Sequence, residues 1–100
     1  MNTISVSPID LSIGDRVMYH GALVEVAVIH EQECDVIGGV RVAACISRLV
    51  TEDHGAIPLP WFDTPESLTA SGSTWAKDLP QGLYINVQGN AHARVAKVAT

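Results

Sequence analysis

The sequence predicts an all-β protein, folded as one small barrel or compact sandwich. Three observations lead there. No segment holds a helical period over eleven or more residues. Leu23–His30 and Val40–Ile46 alternate in the manner of half-buried strands. Gly-containing turns break the chain at Gly14-Asp15, Gly21-Ala22, Gly38-Gly39 and Gly89-Asn90. Together they imply about five to seven short strands, the pattern of a barrel or sandwich.

Residues 8–50 form the strand-rich part. Pro8 and Gly14-Asp15 mark turns ahead of a first strand, Arg16–His20, and Gly21-Ala22 reads as the tight turn that follows. In Leu23–His30, Val24, Val26 and Val28 share one face, and Glu25, Ala27 and Ile29 the other. Glu31-Gln32-Glu33 reads as a polar turn and Cys34–Ile37 as a short strand. Gly38-Gly39 is a hairpin signal, because two consecutive glycines reach the positive φ angles of a type I′ turn. In Val40–Ile46, Val40, Val42, Ala44 and Ile46 share one face, while Arg41, Ala43, Cys45 and Ser47 share the other. Ser47-Arg48-Leu49-Val50 closes this part as a last short strand or a 3₁₀ turn.

Residues 51–82 read as a Pro/Gly-rich loop with short helical turns. Pro58, Pro60, Pro65 and Pro80 interrupt any long regular element. Thr64-Pro65-Glu66 is a helix start, with Thr64 as N-cap and Pro65 in the first turn. Ser73–Leu79 has room for one more helical turn before Pro80. Residues 83–99 read as a C-terminal β-hairpin, with Leu83, Ile85 and Val87 alternating along one arm and Gly89-Asn90 as a two-residue turn.

Composition agrees with a single domain over residues 1–100. Apolar residues make up 47% of the chain and charged residues 17%, a balance that favours folding over disorder. Aromatics are only 5%, so Val, Ala, Ile and Leu must build the core. The net charge of −5 and the scattered placing of Arg16, Arg41, Arg48, Lys77, Arg94 and Lys97 disfavour nucleic acid as a partner. Met1–Val6 carries neither a basic region nor a long apolar run, so no leader, membrane span or membrane association is expected. Cys34 and Cys45 are spaced like no zinc pair and read as free thiols of a cytoplasmic protein.

The stretch Leu11-Ser12-Ile13-Gly14-Asp15-Arg16-Val17-Met18-Tyr19-His20-Gly21 resembles the opening of small SH3-like barrels. The Gly38-Gly39-Val40-Arg41-Val42 hairpin and the Ile46-Ser47-Arg48-Leu49 ending fit the same layout. More narrowly, residues 11–50 are similar to the β-barrel domain of Mu-type transposases and integrases. The resemblance implies a small SH3-like barrel and, by analogy of fold, a role on DNA; residues 51–100 have no counterpart in it, so the Pro-rich loop is an insertion of this chain. A short acidic chain of this kind also resembles accessory proteins of bacteriophages or mobile elements.

Chemistry is sparse. His30, Glu31, Glu33 and Cys34 have zinc-binding atom types but not zinc-binding spacing. Ser47, Cys34, Cys45, Asp53 and His54 could supply a nucleophile and a base, but no nucleophile elbow or Cys-His signature frames them. Neither Gly38-Gly39 nor Gly89-Asn90 leads into a helix, so neither builds a phosphate cradle. No enzyme, cofactor or metal is therefore expected.

The most informative segment is Ile57-Pro58-Leu59-Pro60-Trp61-Phe62. Its alternating prolines bias it toward an extended path. Trp61 and Phe62 then serve either as a lid that completes the core or as anchors for a protein partner. Trp75 invites the same comparison. The expected partner-binding set is Pro58, Pro60, Trp61, Phe62 and Trp75, with Arg41 and Arg48 on the surface. The expected function is that of a non-enzymatic binding protein, an accessory factor acting on a host or replication protein. A virion structural protein (a capsid decoration or head–tail joining subunit) and a DNA-binding barrel are the alternatives, and homo-oligomerisation stays open.

Overall fold

In the computed structural model of the chain, residues 1–34 and 40–99 are described. The described residues hold six strands: β1 (Thr3–Val6), β2 (Arg16–Tyr19), β3 (Ala22–Cys34), β4 (Val40–Leu49), β5 (Tyr84–Asn90) and β6 (Val95–Val98). They form one antiparallel sheet in the order β1-β6-β2-β3-β4-β5. Among the described residues, helix is confined to α1 (Pro65–Ala70) and to 3₁₀ turns at Pro8–Asp10, Leu59–Trp61 and Thr74–Asp78. The chain is thus all-β in class, as its alternation requires.

β2 and β3 form a hairpin in which Tyr19 faces Ala22. The two residues between them, His20 and Gly21, both have positive φ, 49° and 82°. This is the backbone of a type I′ turn, whose twist matches that of the flanking strands. The turn therefore sits one residue earlier than the expected Gly21-Ala22.

β3 runs for 13 residues. The polar turn expected at Glu31-Gln32-Glu33 is instead strand, paired with Ala43, Val42 and Arg41 of β4. Backbone pairing to β4 overrides the polarity of these side chains, and Glu31 gains Arg41 as a partner at 2.7 Å. The Gly38-Gly39 turn and most of the expected Cys34–Ile37 strand lie outside the described residues.

A bulge interrupts β3. Val26 faces Ser47 and Val28 faces Ile46, so Ala27 is one residue too many. Because strand side chains alternate with a period of two, one extra residue exchanges the faces beyond it. Val24 and Val26 point into the core, whereas Ile29, not Val28, packs there afterwards. The expected common face of Val24, Val26 and Val28 ends at this bulge.

β4 extends to Leu49, so Ser47–Leu49 continue the strand. Its buried side chains are Ala43, Cys45 and Ser47, while Val42, Ala44 and Ile46 are only half-buried. The small residues face inward where the Pro8–Asp10 turn packs against β4: Cys45 Sγ lies 3.5 Å from the Pro8 carbonyl. The Ser47 hydroxyl is satisfied in place, donating to the Cys45 carbonyl at 3.0 Å.

The C-terminal strands are not a hairpin. β5 pairs with β4, and β6 pairs with β1 and β2. Gly89 and Asn90 belong to β5, opposite Ala43 and Val42. The turn comes after them, where Asn90 Oδ1 accepts the His92 and Ala93 N–H groups at 2.9 and 3.2 Å. This Asx-type turn directs the chain away from the ladder and across to the other end of the sheet.

β1 and β5 are the two ends of the sheet, and the turn after β1 bridges them. Ser7 Oγ donates to the Asn90 carbonyl at 2.8 Å and caps the Pro8–Asp10 turn by accepting the Ile9 N–H at 3.2 Å. Leu11, Val17, Val24, Val26, Ala43, Cys45 and Val87 fill the interior so enclosed. A second cluster, Ala22, Ile57 and Phe62, lies beside it with Tyr19, Leu49, Leu83 and Ile85 at its margin. It joins the loop of residues 51–63 to the sheet and positions the site described next.

Candidate protein-recognition site

The prolines shape the Ile57–Phe62 segment differently from the extended path expected. Leu59–Trp61 is a 3₁₀ turn, closed by the Trp61 N–H donating to Pro58 O at 2.9 Å and the Phe62 N–H to Leu59 O at 3.1 Å. A proline φ near −65° suits a 3₁₀ turn as well as an extended chain. Pro58 and Pro60 are exposed on its flanks.

This turn separates the two adjacent rings. Phe62 is 8% exposed and belongs to the second core cluster, whereas Trp61 is 71% exposed. Of the two roles weighed for the pair, Phe62 takes that of the lid and Trp61 projects as the anchor would. Leu59, 53% exposed, lies on the same turn.

The loop beneath Trp61 is tied down at several points. His54 Nδ1 donates to the Ile57 carbonyl at 2.7 Å, and Asp53 Oδ1 accepts the Gly55 N–H at 2.9 Å. The Ala56 N–H donates to the His20 carbonyl at 2.8 Å, joining this loop to the β2–β3 turn. Asp63, just past Phe62, exchanges backbone hydrogen bonds with Tyr84 at 2.7 and 2.8 Å, which fixes the far end of the loop to β5.

Between the loop and the hairpin is a hollow of about 140 Å³, lined by Tyr19, His20, Ala56, Ile57, Trp61 and Ile85. Ile57 forms its buried base. The Tyr19 and His20 rings meet edge to face, with centroids 4.5 Å apart. Exposed and half-buried rings thus surround a small apolar floor. A wider, open hollow of about 410 Å³ lies on α1 and the turn after it, lined by Pro65, Glu66, Thr69, Ala70 and Lys77. Within this second region Glu66 is held below the usual carboxylate range, chiefly because Gln81 donates a hydrogen bond to it at 2.7 Å.

Of the expected binding residues, Trp61 lines the first hollow, and Pro58, Pro60 and Phe62 hold it in place. Trp75 does not line it: its ring packs on His30, with centroids 5.1 Å apart. Arg41 is an ion-pair partner of Glu31. Arg48 lays its stem against Gly82. Seven steps of β4 put the two arginines about 23 Å apart, so they form no common patch. Tyr19, His20, Ala56 and Ile85 were not among the expected residues. Their one local signal is the pair of rings directly before Gly21, at the tip of a predicted hairpin.

Of the side chains considered for catalysis, Cys45, Ser47, Asp53 and His54 have structural work, while the Cys34 side chain lies outside the described residues. Burial pushes the Cys45 thiol up, and nearby Glu31 adds to the shift. Ser47 and His54 hold backbone carbonyls, as described. Among the described residues, no three His, Cys, Asp or Glu side chains gather as a metal-ligand set. No helix among the described residues is long and apolar enough to cross a membrane.

Fold and site together define a small all-β domain with a ring-lined hollow at one hairpin tip. No family model, curated protein or solved structure matches the chain.

Proposed function

We propose that the protein is a non-enzymatic binding module that grips a protein partner at the Tyr19–His20–Trp61 hollow. The observation that carries this reading is the exposure of Trp61 on a turn whose neighbours Ile57 and Phe62 are buried. A Trp ring buries roughly 150–250 Å² when covered, and Trp is enriched among the residues that dominate interfaces. A ring held by a pinned backbone also loses little freedom on binding.

The strand order supports an SH3-like barrel as the scaffold. Leaving β1 aside, the order is β6-β2-β3-β4-β5. The last strand thus returns beside the first, the layout that the resemblance of residues 11–50 implies. In this reading β1 is an added strand. The small acidic chain, its barrel pattern and its Pro/Trp segment further suit an accessory factor of a phage or mobile element, whose partner is a host or replication protein. A DNA-binding role has less support, since Arg16, Arg41 and Lys97 already hold Glu25, Glu31 and Asp15.

Immobilised full-length protein tests the reading. A bacterial protein should be retained by the wild type and by Trp75→Phe, be lost on Trp61→Ala, and rebind in purified form with the same dependence. Equal retention by the wild type and Trp61→Ala would overturn it.

A further inference from the structure

We propose that the Trp61 hollow takes a cationic side chain, the arginine or lysine of a basic, extended segment of the partner. This rests on the recognition role proposed above and deepens it by naming the chemistry of the ligand.

The first argument is charge. From Leu49 to Ala76 the chain has no Lys or Arg, but it has Glu52, Asp53, Asp63 and Glu66. All four are exposed. The residues that the loop gives to the hollow, Ala56, Ile57 and Trp61, lie in the middle of this run. The ion pairs among the described residues, Arg16–Glu25, Arg41–Glu31 and Lys97–Asp15, use none of its carboxylates. Asp53 and Asp63 stand at the two ends of the loop, and both ends are fixed by hydrogen bonds to Gly55 and Tyr84. This run therefore carries net negative charge in the same segment that supplies Ala56, Ile57 and Trp61, and none of its carboxylates is ion-paired among the described residues. It attracts a basic partner and repels nucleic acid or an anionic lipid surface.

The second argument is shape and surface. An apolar void of about 150 Å³ accommodates one benzene ring, and cofactor sites run to roughly 300–1,000 Å³. The hollow, at about 140 Å³, has room for one side chain. Its apolar parts, Ala56, Ile57 and Ile85, suit the methylene stem of Arg or Lys, which packs well on apolar surface. The exposed Trp61 ring suits the charged head, since indole is the strongest cation–π partner among side chains. An aliphatic ligand would use the floor alone and leave the carboxylates unanswered.

A random-peptide display library, selected on the full-length protein and counter-selected on Trp61→Ala, tests this. Trp61-dependent peptides should be enriched in Arg or Lys beside extended, proline-tolerant sequence. Replacing the basic residue by Gln should weaken binding about tenfold, as loss of a cation–π contact and a charge-assisted contact requires. Glu52→Gln and Asp63→Asn should each weaken it about two- to fivefold, with less effect at high salt. Trp61-dependent peptides that are neutral or acidic would overturn the cationic ligand and leave the recognition site standing. A library with no Trp61-dependent peptide would remove both.

Discussion

Gly55 lies directly against the carbonyl of His20. Its φ is +57°, and a Cβ added there would overlap the His20 carbonyl oxygen and stand 2.5 Å from the Gly21 carbonyl carbon. This contact seats the Trp61 loop on the β2–β3 turn. It makes Gly55→Ala a double injury, since alanine disfavours positive φ and its methyl has backbone rather than a yielding side chain to displace. The substitution should cost about 2–4 kcal/mol. Chemical denaturation measures that loss, and tyrosine and histidine resonances at the hairpin tip should shift with it.

Trp61 and Phe62 are neighbours with opposite expected behaviour. Phe62→Ala removes a buried ring and should cost about 3–5 kcal/mol. Trp61→Ala removes an exposed one and should change stability by no more than about 0.5 kcal/mol. Urea midpoints of the two variants check this. A large loss for Trp61→Ala would mean that its ring serves the core.

The sequence made the sheet legible wherever local pattern and pairing agree. Alternation and glycines located β2, β3 and β4, and Thr64-Pro65 located α1. The capping box bears this out, with Ser67 N–H donating to Thr64 Oγ1 at 3.1 Å and Thr64 N–H to Ser67 Oγ at 2.8 Å. Partner choice was less legible. Leu83–Gln88 alternates equally well in a hairpin or beside β4, and the Asx-type turn at Asn90 decides between them. The bulge at Ala27 also leaves no local mark, because only β4 reveals the extra residue. β1 is four residues long and mostly exposed, too brief for a periodic signal. At the site, Trp61 stood out by its rarity. Tyr19, His20 and Ile85 reach the hollow through strand pairing and loop docking, which spacing along the chain does not encode.

Tyr84 links the sheet to the end of the insertion. Its phenol donates to the Pro80 carbonyl at 2.7 Å while its ring is buried. Tyr84→Phe should cost about 1 kcal/mol at neutral pH. Burial also pushes the Tyr84 phenol up, against a smaller opposing effect of Arg48, and it pushes the Cys45 thiol up as well. The folded chain therefore keeps protons that the unfolded chain releases at alkaline pH. The stability they contribute is full below the ordinary thiol and phenol values, about 8.5 and 10, and declines as pH rises through the folded ones. Denaturation between neutral and strongly alkaline pH should show a shallower decline for Tyr84→Phe than for the wild type. Equal slopes would assign the alkaline loss to other groups.

Ser7 joins the two ends of the sheet, and its removal should open that seam before anything else. The side chain is buried and makes two hydrogen bonds, one to the Asn90 carbonyl across the seam and one from the Ile9 N–H within its own turn. In Ser7→Ala the Asn90 carbonyl keeps the Ala93 N–H at 3.1 Å, so the penalty falls mainly on Ile9 and on the lost bridge. The expected cost is about 1–2 kcal/mol, the range for a lost cap or buried hydrogen bond. Pro8 O also accepts from Cys45 Sγ, so loosening this turn weakens a contact with β4 as well. Hydrogen exchange separates a local effect from a global one. Amides of β1, of the Pro8–Asp10 turn and of the Asn90 end of β5 should exchange faster by more than the global loss explains, while the paired centres of β3 and β4 follow the global loss alone. Uniform acceleration across all strands would show instead that the seam opens only when the whole sheet does, and that the bridge from Ser7 to Asn90 is part of the cooperative core.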